Sequence, residues 1–221
     1  MPTTTNKQRV LNQLFTVLKK RYEPADPEAL PVLEQFLYAV CREGATREQA
    51  ERAYRALRER FFDWNEVRVS SPRELEEAMA GLPGADVRAE RLIGFLQEVF
   101  ETKFAFDLED LQKKGLKVAA KQLGRYQAAN EYTSSWVTQR SLGGHAIPVD
   151  APTLRCTRRL GLVESGPADR RAVTGLKRIY DLPVSFPEEP GPRPFVMELK
   201  LLGDHGGAEA GIHVEHLLGG R

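Results

Sequence analysis

The sequence has few cysteines, no long apolar run and no excess of charge of either sign. Its two cysteines, Cys41 and Cys156, cannot supply a disulfide framework, a four-thiolate zinc site or a four-cysteine iron–sulfur cluster. No stretch approaches the roughly 18 consecutive apolar residues of a membrane-spanning helix, and the polar first residues predict no secretory leader. We therefore expect a cytoplasmic protein with reduced thiols, no cofactor and no membrane partner.

The charges nearly cancel, with 32 Lys and Arg against 31 Asp and Glu in 221 residues. The chain as a whole therefore has no field that would attract a polyanion, and any nucleic-acid site must be a local basic patch. A hydrophobic content of 41% is ordinary for a globular protein, and the length suits one domain or two small lobes.

Helical spacing of apolar residues dominates the sequence as far as residue 180, which predicts an all-α protein. Thr46, followed by Gln49, and Ser71, followed by Pro72 and Glu74, are typical helix starts. The pattern also predicts a turn at residues 63–65 and short helices at 107–111 and 127–137. The only alternating pattern before residue 180 is three residues long, at 67–69.

The segment 143–155 reads Gly-Gly-His-Ala-Ile-Pro-Val-Asp-Ala-Pro-Thr-Leu-Arg. It resembles the endonuclease III, or HhH-GPD, superfamily of DNA glycosylases, whose pattern is Val-Asp-Thr-His-hydrophobic-x-Arg. Val149, Asp150 and Arg155 match, while Ala151-Pro152 replaces the Thr-His pair. The order of the preceding helices agrees, so that the resemblance covers about residues 28–165. It implies a helix-hairpin-helix glycosylase-like fold, with two helical lobes and a cleft between them.

The resemblance implies four parts in this chain. Residues 1–27 form an N-terminal helix that packs with the C-terminal lobe, and residues 28–142 form a helical barrel lobe with a degenerate hairpin at about 123–142. Residues 143–181 contain the Asp-bearing turn and the helices of the second lobe. Residues 182–221 are a proline-rich link, a short helix and a flexible tail.

Asp150 is the candidate catalytic residue, because the family's Asp stands at a helix N-terminus that faces the target nucleotide. A carboxylate there stabilises the oxocarbenium-like sugar as the base departs, or deprotonates the attacking water. The sequence supports a second interpretation equally well. Asp before Ala-Pro-Thr is a good N-cap, and it needs no catalytic role.

The chain departs from the family at the hairpin, where bifunctional members have Gly-x-Gly and a nucleophilic lysine. Tyr132 falls at the position of that lysine, so a lyase step is not expected. The candidate hairpin or pocket residues are Gln127, Asn130, Tyr132 and His145. Tyr132 could stack on a sugar or a base, or it could be an ordinary core tyrosine. Gly44 replaces the family's wedging Gln, and the cluster cysteines are absent.

The predicted partner is damaged double-stranded DNA, bound by a monomer. Its candidate contacts are Lys121, Arg125, Gly143, Gly144, Arg155 and Arg158. An ordinary salt-bridged surface would have the same composition, and no metal site is predicted. Three functions remain open at this point: a monofunctional glycosylase, a non-catalytic DNA-binding module with the same fold, and a helical scaffold unrelated to DNA.

Overall fold

All regular secondary structure in the described part of the chain is helical. The computed structural model describes residues 9–14, 16–17, 30–144 and 146–162, and the first two of these ranges are helical. The α-helices that follow are α1 (Val32–Arg42), α2 (Arg47–Arg60), α3 (Trp64–Val69), α4 (Pro72–Ala78), α5 (Ala85–Lys103), α6 (Leu116–Leu123), α7 (Glu131–Arg140) and α8 (Ala151–Arg159). A short 3-10 helix, Glu109–Leu111, lies between α5 and α6. The all-α prediction is confirmed.

Several sequence predictions fall outside these ranges. They are the end of the N-terminal helix, His145, residues 163–181 of the predicted second lobe, and the link, helix and tail of residues 182–221. Within the ranges, no helix is both long enough and apolar enough to cross a membrane.

Local capping explains where α2 and α4 begin. The Thr46 side chain accepts a hydrogen bond from the backbone N–H of Gln49, and the Gln49 side chain accepts one from the backbone of Thr46. Ser71 and Glu74 form the same reciprocal pair, with Pro72 in the first turn of α4. Each pair satisfies backbone donors that the first helical turn leaves without partners. Both predicted helix starts are confirmed.

Three local predictions are corrected by the structure. The expected turn at residues 63–65 is the start of α3, where the Asp63 side chain caps the N–H of Glu66. Residues 67–69 complete that helix, which is too short to display a helical period. The helix predicted from residue 127 begins at Glu131, because Asn130 caps it. The helix predicted at 107–111 is only the 3-10 turn.

Helix α1 lies at the centre of the main hydrophobic core. It packs against α2, α5 and α7, and α5 in turn packs against α3 and α4. Phe36 of α1 and Phe95 of α5 are fully buried and stack with ring centroids 3.7 Å apart. The strongly apolar stripes that the sequence shows in these two helices are thus buried against each other.

The chain divides into two compact units. The larger contains Ala29–Pro148, and the other contains Met1–Glu28 together with Val149–Arg221. Helices α1 to α7 and the turn at residues 143–148 belong to the larger unit. Helix α8 belongs to the other, and its Asp150 N-cap lies two residues beyond the division.

Candidate functional site

Asp150 is held at the start of α8 by its own helix. Its Oδ1 accepts a hydrogen bond from the Thr153 backbone N–H at 3.1 Å and another from the Thr153 hydroxyl at 2.6 Å. The residue is only 7% exposed. The structure therefore shows the cap that the sequence predicted, with the carboxylate oriented by two donors. A cap and a chemical carboxylate require the same position, so this geometry is compatible with both interpretations.

The arginines of α8 differ in their surroundings. Arg155 is exposed. Nε and Nη2 of Arg158 are buried, and no hydrogen-bond partner for them exists in the described part of the chain. Cys156, on the same helix, is partly buried, and burial raises the pKa of its thiol to about 11. Arg158 therefore does not fit the interpretation that these arginines belong to an ordinary, salt-bridged surface.

The hairpin lies between α6 and α7, and its residues make contacts that the sequence does not indicate. Asn130 caps α7: its Oδ1 accepts the Thr133 N–H at 2.9 Å, and its own N–H donates to the Thr133 hydroxyl at 3.1 Å. The backbone N–H of Gln127 donates to the Glu98 carboxylate, at 2.9 Å to Oε2. Two hairpin amides are therefore already engaged by side chains of this chain.

A second carboxylate, from a distant part of the sequence, contacts the hairpin. Glu43, which follows α1, accepts the Asn130 side-chain amide on both oxygens, at 2.8 and 2.9 Å. Arg91 of α5 pairs with Glu43 at 2.7 Å and donates through Nε to the carbonyl of Ala128, also at 2.7 Å. We call Glu43, Arg91 and Asn130 the hairpin clamp. It fixes a turn that has no Gly-x-Gly to shape its backbone.

Tyr132, at the family's lysine position, is a core residue. It is 2% exposed and clusters with Ala39 of α1 and Trp136 of α7, the two rings lying 6.0 Å apart. The Trp136 indole N–H donates to Gln35 at 2.9 Å. Of the two interpretations of Tyr132, the structure therefore favours the packing one.

Arg140 closes this aromatic cluster at the end of α7. Its guanidinium lies 5.0 Å from the centre of the Trp136 ring. The pKa of Arg140 is lowered to about 10, chiefly by burial; Tyr38 and Tyr132 act to raise it, and the neighbouring cations Arg47 and Arg42 act to lower it. Arg140 is thus largely removed from bulk water, with its guanidinium against the ring of Trp136.

The two glycines after α7 have different structural roles. Gly143 is exposed and adopts φ +65°, a conformation that favours glycine. Gly144 is buried, and its N–H donates to the carbonyl of Thr138 at 2.9 Å. A Cβ at Gly144 would lie 2.6 Å from Cγ2 of Thr138 and 2.7 Å from Cδ1 of Leu116. The turn therefore fits tightly between α6 and α7.

We expect Gly144→Ala to lower the free energy of unfolding by about 1–3 kcal/mol, because the buried Thr138 cannot make room for the methyl group. Gly94→Ala is the matched control. Gly94 is exposed within α5, and no atom of the described residues lies within 4 Å of its added Cβ. That variant should gain about 0.5–1 kcal/mol. Urea unfolding measures both, and a Gly144→Ala variant as stable as wild type, or more stable, would contradict the close packing at Gly144.

The remaining predicted DNA contacts lie on the larger unit and are exposed. Lys121 lies on α6 and Arg125 in the turn after it. Lys114, by contrast, pairs with Asp110 at 2.6 Å, and Lys103 pairs with the same carboxylate at 2.8 Å. Asp150, Arg155 and Arg158 belong to the other unit. The described residues contain no group of His, Cys, Asp and Glu side chains that could hold a metal ion.

Three residues of this site were not identified from the sequence. Glu43, Arg91 and Glu98 reach hairpin residues that are 87, 37 and 29 positions away in the chain. A charged residue on a helix ordinarily indicates a solvated face, and no local pattern distinguishes these three from the other acids and arginines. Only the packing of α1 and α5 against the hairpin shows their contacts.

No protein-family model matches the chain, and no curated protein matches it. Solved structures do. A trapped covalent intermediate of endonuclease III with DNA has a TM-score of 0.69 at 15% identity, over 95% of this chain and 90% of that one. The H. pylori 3-methyladenine DNA glycosylase bound to 1,N6-ethenoadenine has a TM-score of 0.62 at 14% identity, over 95% and 96%. The 3-methyladenine DNA glycosylase of Archaeoglobus fulgidus has 0.58 at 18%, over 91% and 69%. The chain has the endonuclease III-like glycosylase fold.

Proposed function

We propose that this chain, whose fold is that of the endonuclease III-like DNA glycosylases, is a DNA-repair protein that excises a damaged base from double-stranded DNA. The observation that carries the proposal is the position of Asp150. This buried carboxylate is oriented at the N-terminus of α8, where the resemblance to the family places its catalytic Asp. Fold and carboxylate occur together in this chain, although neither alone would specify base removal.

The chemistry requires a flipped nucleotide and a carboxylate beside its sugar. As the glycosidic bond breaks, the base leaves with the bond's electron pair, and positive charge develops on the sugar ring. Asp150 stabilises that charge and accepts a proton from the water that adds to the sugar carbon. The base takes up a proton as it leaves, so the products are a free base and an abasic site.

The reaction proposed here is monofunctional. Tyr132 cannot form the Schiff base that a lysine would form, and it is buried in the cluster with Trp136. The iron–sulfur cluster of the family does not fit this chain either, because two cysteines cannot provide four thiolate ligands. Cys41 is fully buried in the core, where burial raises the pKa of its thiol to about 12. We therefore propose a protein that works without an iron–sulfur cluster.

Asp150→Asn tests the proposal, because Asn caps a helix as well as Asp does but has no charge. Wild type and variant would be incubated with duplexes containing uracil, an oxidised pyrimidine, an 8-oxoguanine mispair or an alkylated base. Hot alkali then cleaves every abasic site without the need for a lyase step. We expect wild type to produce cleavage on one lesion class, and the variant to be slower by about 10²–10³-fold with unchanged thermal stability.

Asp150→Ala is the companion variant. It removes the cap as well as the charge, so it should lose about 1 kcal/mol of stability in addition to activity. If Asp150→Asn were as active as wild type, Asp150 would be only a cap. If the wild type produced no abasic site on any lesion, the enzyme proposal would be wrong.

A second candidate is a non-catalytic DNA-binding module with the same fold. The residues that this chain lacks favour it: Tyr132 stands at the position of the family's lysine, Gly44 at that of its wedging Gln, and the hairpin has no Gly-x-Gly. A module that only binds DNA needs neither the lysine nor the wedge. Salt-dependent binding of duplex DNA with no product on any lesion would identify this second function.

A further inference from the structure

Helix α6 lies in the most basic segment of the larger unit. Residues 112–130 contain five Lys or Arg and no Asp or Glu, in a chain whose formal net charge is only +1. Four of these cations recur every fourth residue: Lys113, Lys117, Lys121 and Arg125. We call these four the α6 strip. Lys117 and Lys121 lie in α6, where this spacing places their side chains on one side with about 6 Å of axial rise between them; Lys113 lies in the turn before the helix and Arg125 in the turn after it.

The members of the α6 strip are exposed, and none of them forms an ion pair within the described residues. Most other strong cations of this unit are already neutralised. Arg58 pairs with Glu34, Arg91 with Glu43, and Lys114 with Asp110. The strip is therefore a local positive field that neither an ion pair of its members nor an acidic residue of segment 112–130 compensates.

The hairpin next to the strip is not equipped for phosphate. The Gln127 N–H is bound by Glu98, and the Asn130 N–H by Thr133. The Asn130 side chain holds Glu43. A phosphate that approached this turn would have to compete with the Glu98 carboxylate for the Gln127 N–H and with the Thr133 hydroxyl for the Asn130 N–H. The charge of Glu98 opposes such binding, whereas that of Glu43 is already paired with Arg91.

We propose that the α6 strip is the principal contact of this chain with the phosphodiester backbone of duplex DNA, and that the clamped hairpin does not bind phosphate. This inference rests on the proposed function for its choice of DNA as the partner. The strip favours a duplex over a single strand, because it offers no surface on which bases could stack. The one aromatic residue of the segment, Tyr126, is buried against Phe95, with ring centroids 5.2 Å apart.

The experiment measures the dissociation constant for an undamaged duplex as a function of salt concentration. Each phosphate contact contributes about 0.9 to the slope of log affinity against log salt. We expect the double variant K117Q/K121Q to reduce the slope by about 2 units. The matched control R52Q/R55Q removes the same charge from exposed residues of α2 that form no ion pair within the described residues, and its slope should equal that of wild type.

Three results would overturn the inference. The first is an unchanged slope in K117Q/K121Q, and the second is an equal loss in R52Q/R55Q, which would indicate only nonspecific attraction. The third is tighter binding of a single strand of the same sequence. Circular dichroism and thermal melting show whether each variant is folded, which is expected because the substituted side chains are exposed.

The outcome is separable from that of the glycosylase assay. Base excision by wild type, together with an unchanged salt slope in K117Q/K121Q, would support the proposed function and reject the α6 strip as the phosphate contact. A reduced slope in K117Q/K121Q, without base excision by wild type, would support the strip as the DNA contact and reject the proposed enzyme activity.

Discussion

Phe95→Ala should lower the free energy of unfolding by about 3–5 kcal/mol, which is a large part of the stability of a domain of this size. Phe95 is fully buried and stacks on Phe36 of α1. Its edge also meets Tyr126 at the entrance to the hairpin, with the ring planes at 78°. The substitution therefore removes one side chain from a junction of α1, α5 and the hairpin, and leaves a cavity there.

Chemical denaturation with urea would measure this loss, and Phe62→Ala supplies the matched control. Phe62 is 95% exposed, so its truncation should change stability by less than about 0.5 kcal/mol. Phe95→Leu should fall between these two variants, because it retains part of the buried volume. A loss below about 1 kcal/mol in Phe95→Ala would contradict the packing described for this junction.

Arg88→Met is expected to cost about 3 kcal/mol. The guanidinium of Arg88 donates to the carbonyl oxygens of Val40, Glu43 and Pro83, the last at 2.8 Å. Burial lowers the pKa of Arg88, and Glu43 acts in the opposite direction among the nearby charges. Methionine fills a similar volume but has no donor, so three carbonyls lose a charged partner, and two of them, those of Val40 and Glu43, are partly buried. The end of α1 would also lose a cation that favours its dipole.

Two variants separate the possible causes of that loss. Arg88→Lys keeps the charge, but its single ammonium cannot reach all three carbonyls, so it should recover less than half of the stability. Arg55→Met removes an exposed arginine that forms no ion pair within the described residues, and it should stay within about 0.5 kcal/mol of wild type. Thermal melting compares the set. Full recovery in Arg88→Lys would mean that charge alone matters at this site.

Much of the local structure could be predicted because its determinants are close together in the sequence. Thr46, Ser71 and Asp150 each cap a helix through a backbone donor three residues later, and that spacing is visible without coordinates. The apolar period of α1 and α5 likewise depends only on neighbours within a few turns. The all-α fold followed from these signals, and the family resemblance added the order of the helices.

The site was less predictable because its contacts are distant in sequence. The hairpin clamp joins Glu43 to Asn130, and Glu98 of α5 binds the backbone N–H of Gln127. The sequence also placed Tyr132 at the family's lysine position without indicating its burial against Trp136. The sequence also did not predict short helices such as α3, but for a local reason: six residues contain too few apolar positions to reveal a helical period.

The hairpin clamp also has a consequence for the order in which the chain folds. The capping pairs of α2 and α4 close loops of three residues and can form as soon as their segments exist. The bond from Asn130 to Glu43 closes a loop of 87 residues, and its entropic cost is met only after α1 and α5 have packed. A hairpin shaped by glycines would need no such scaffold. We therefore expect the turn between α6 and α7 to reach its final conformation late, once the rest of the larger unit is assembled.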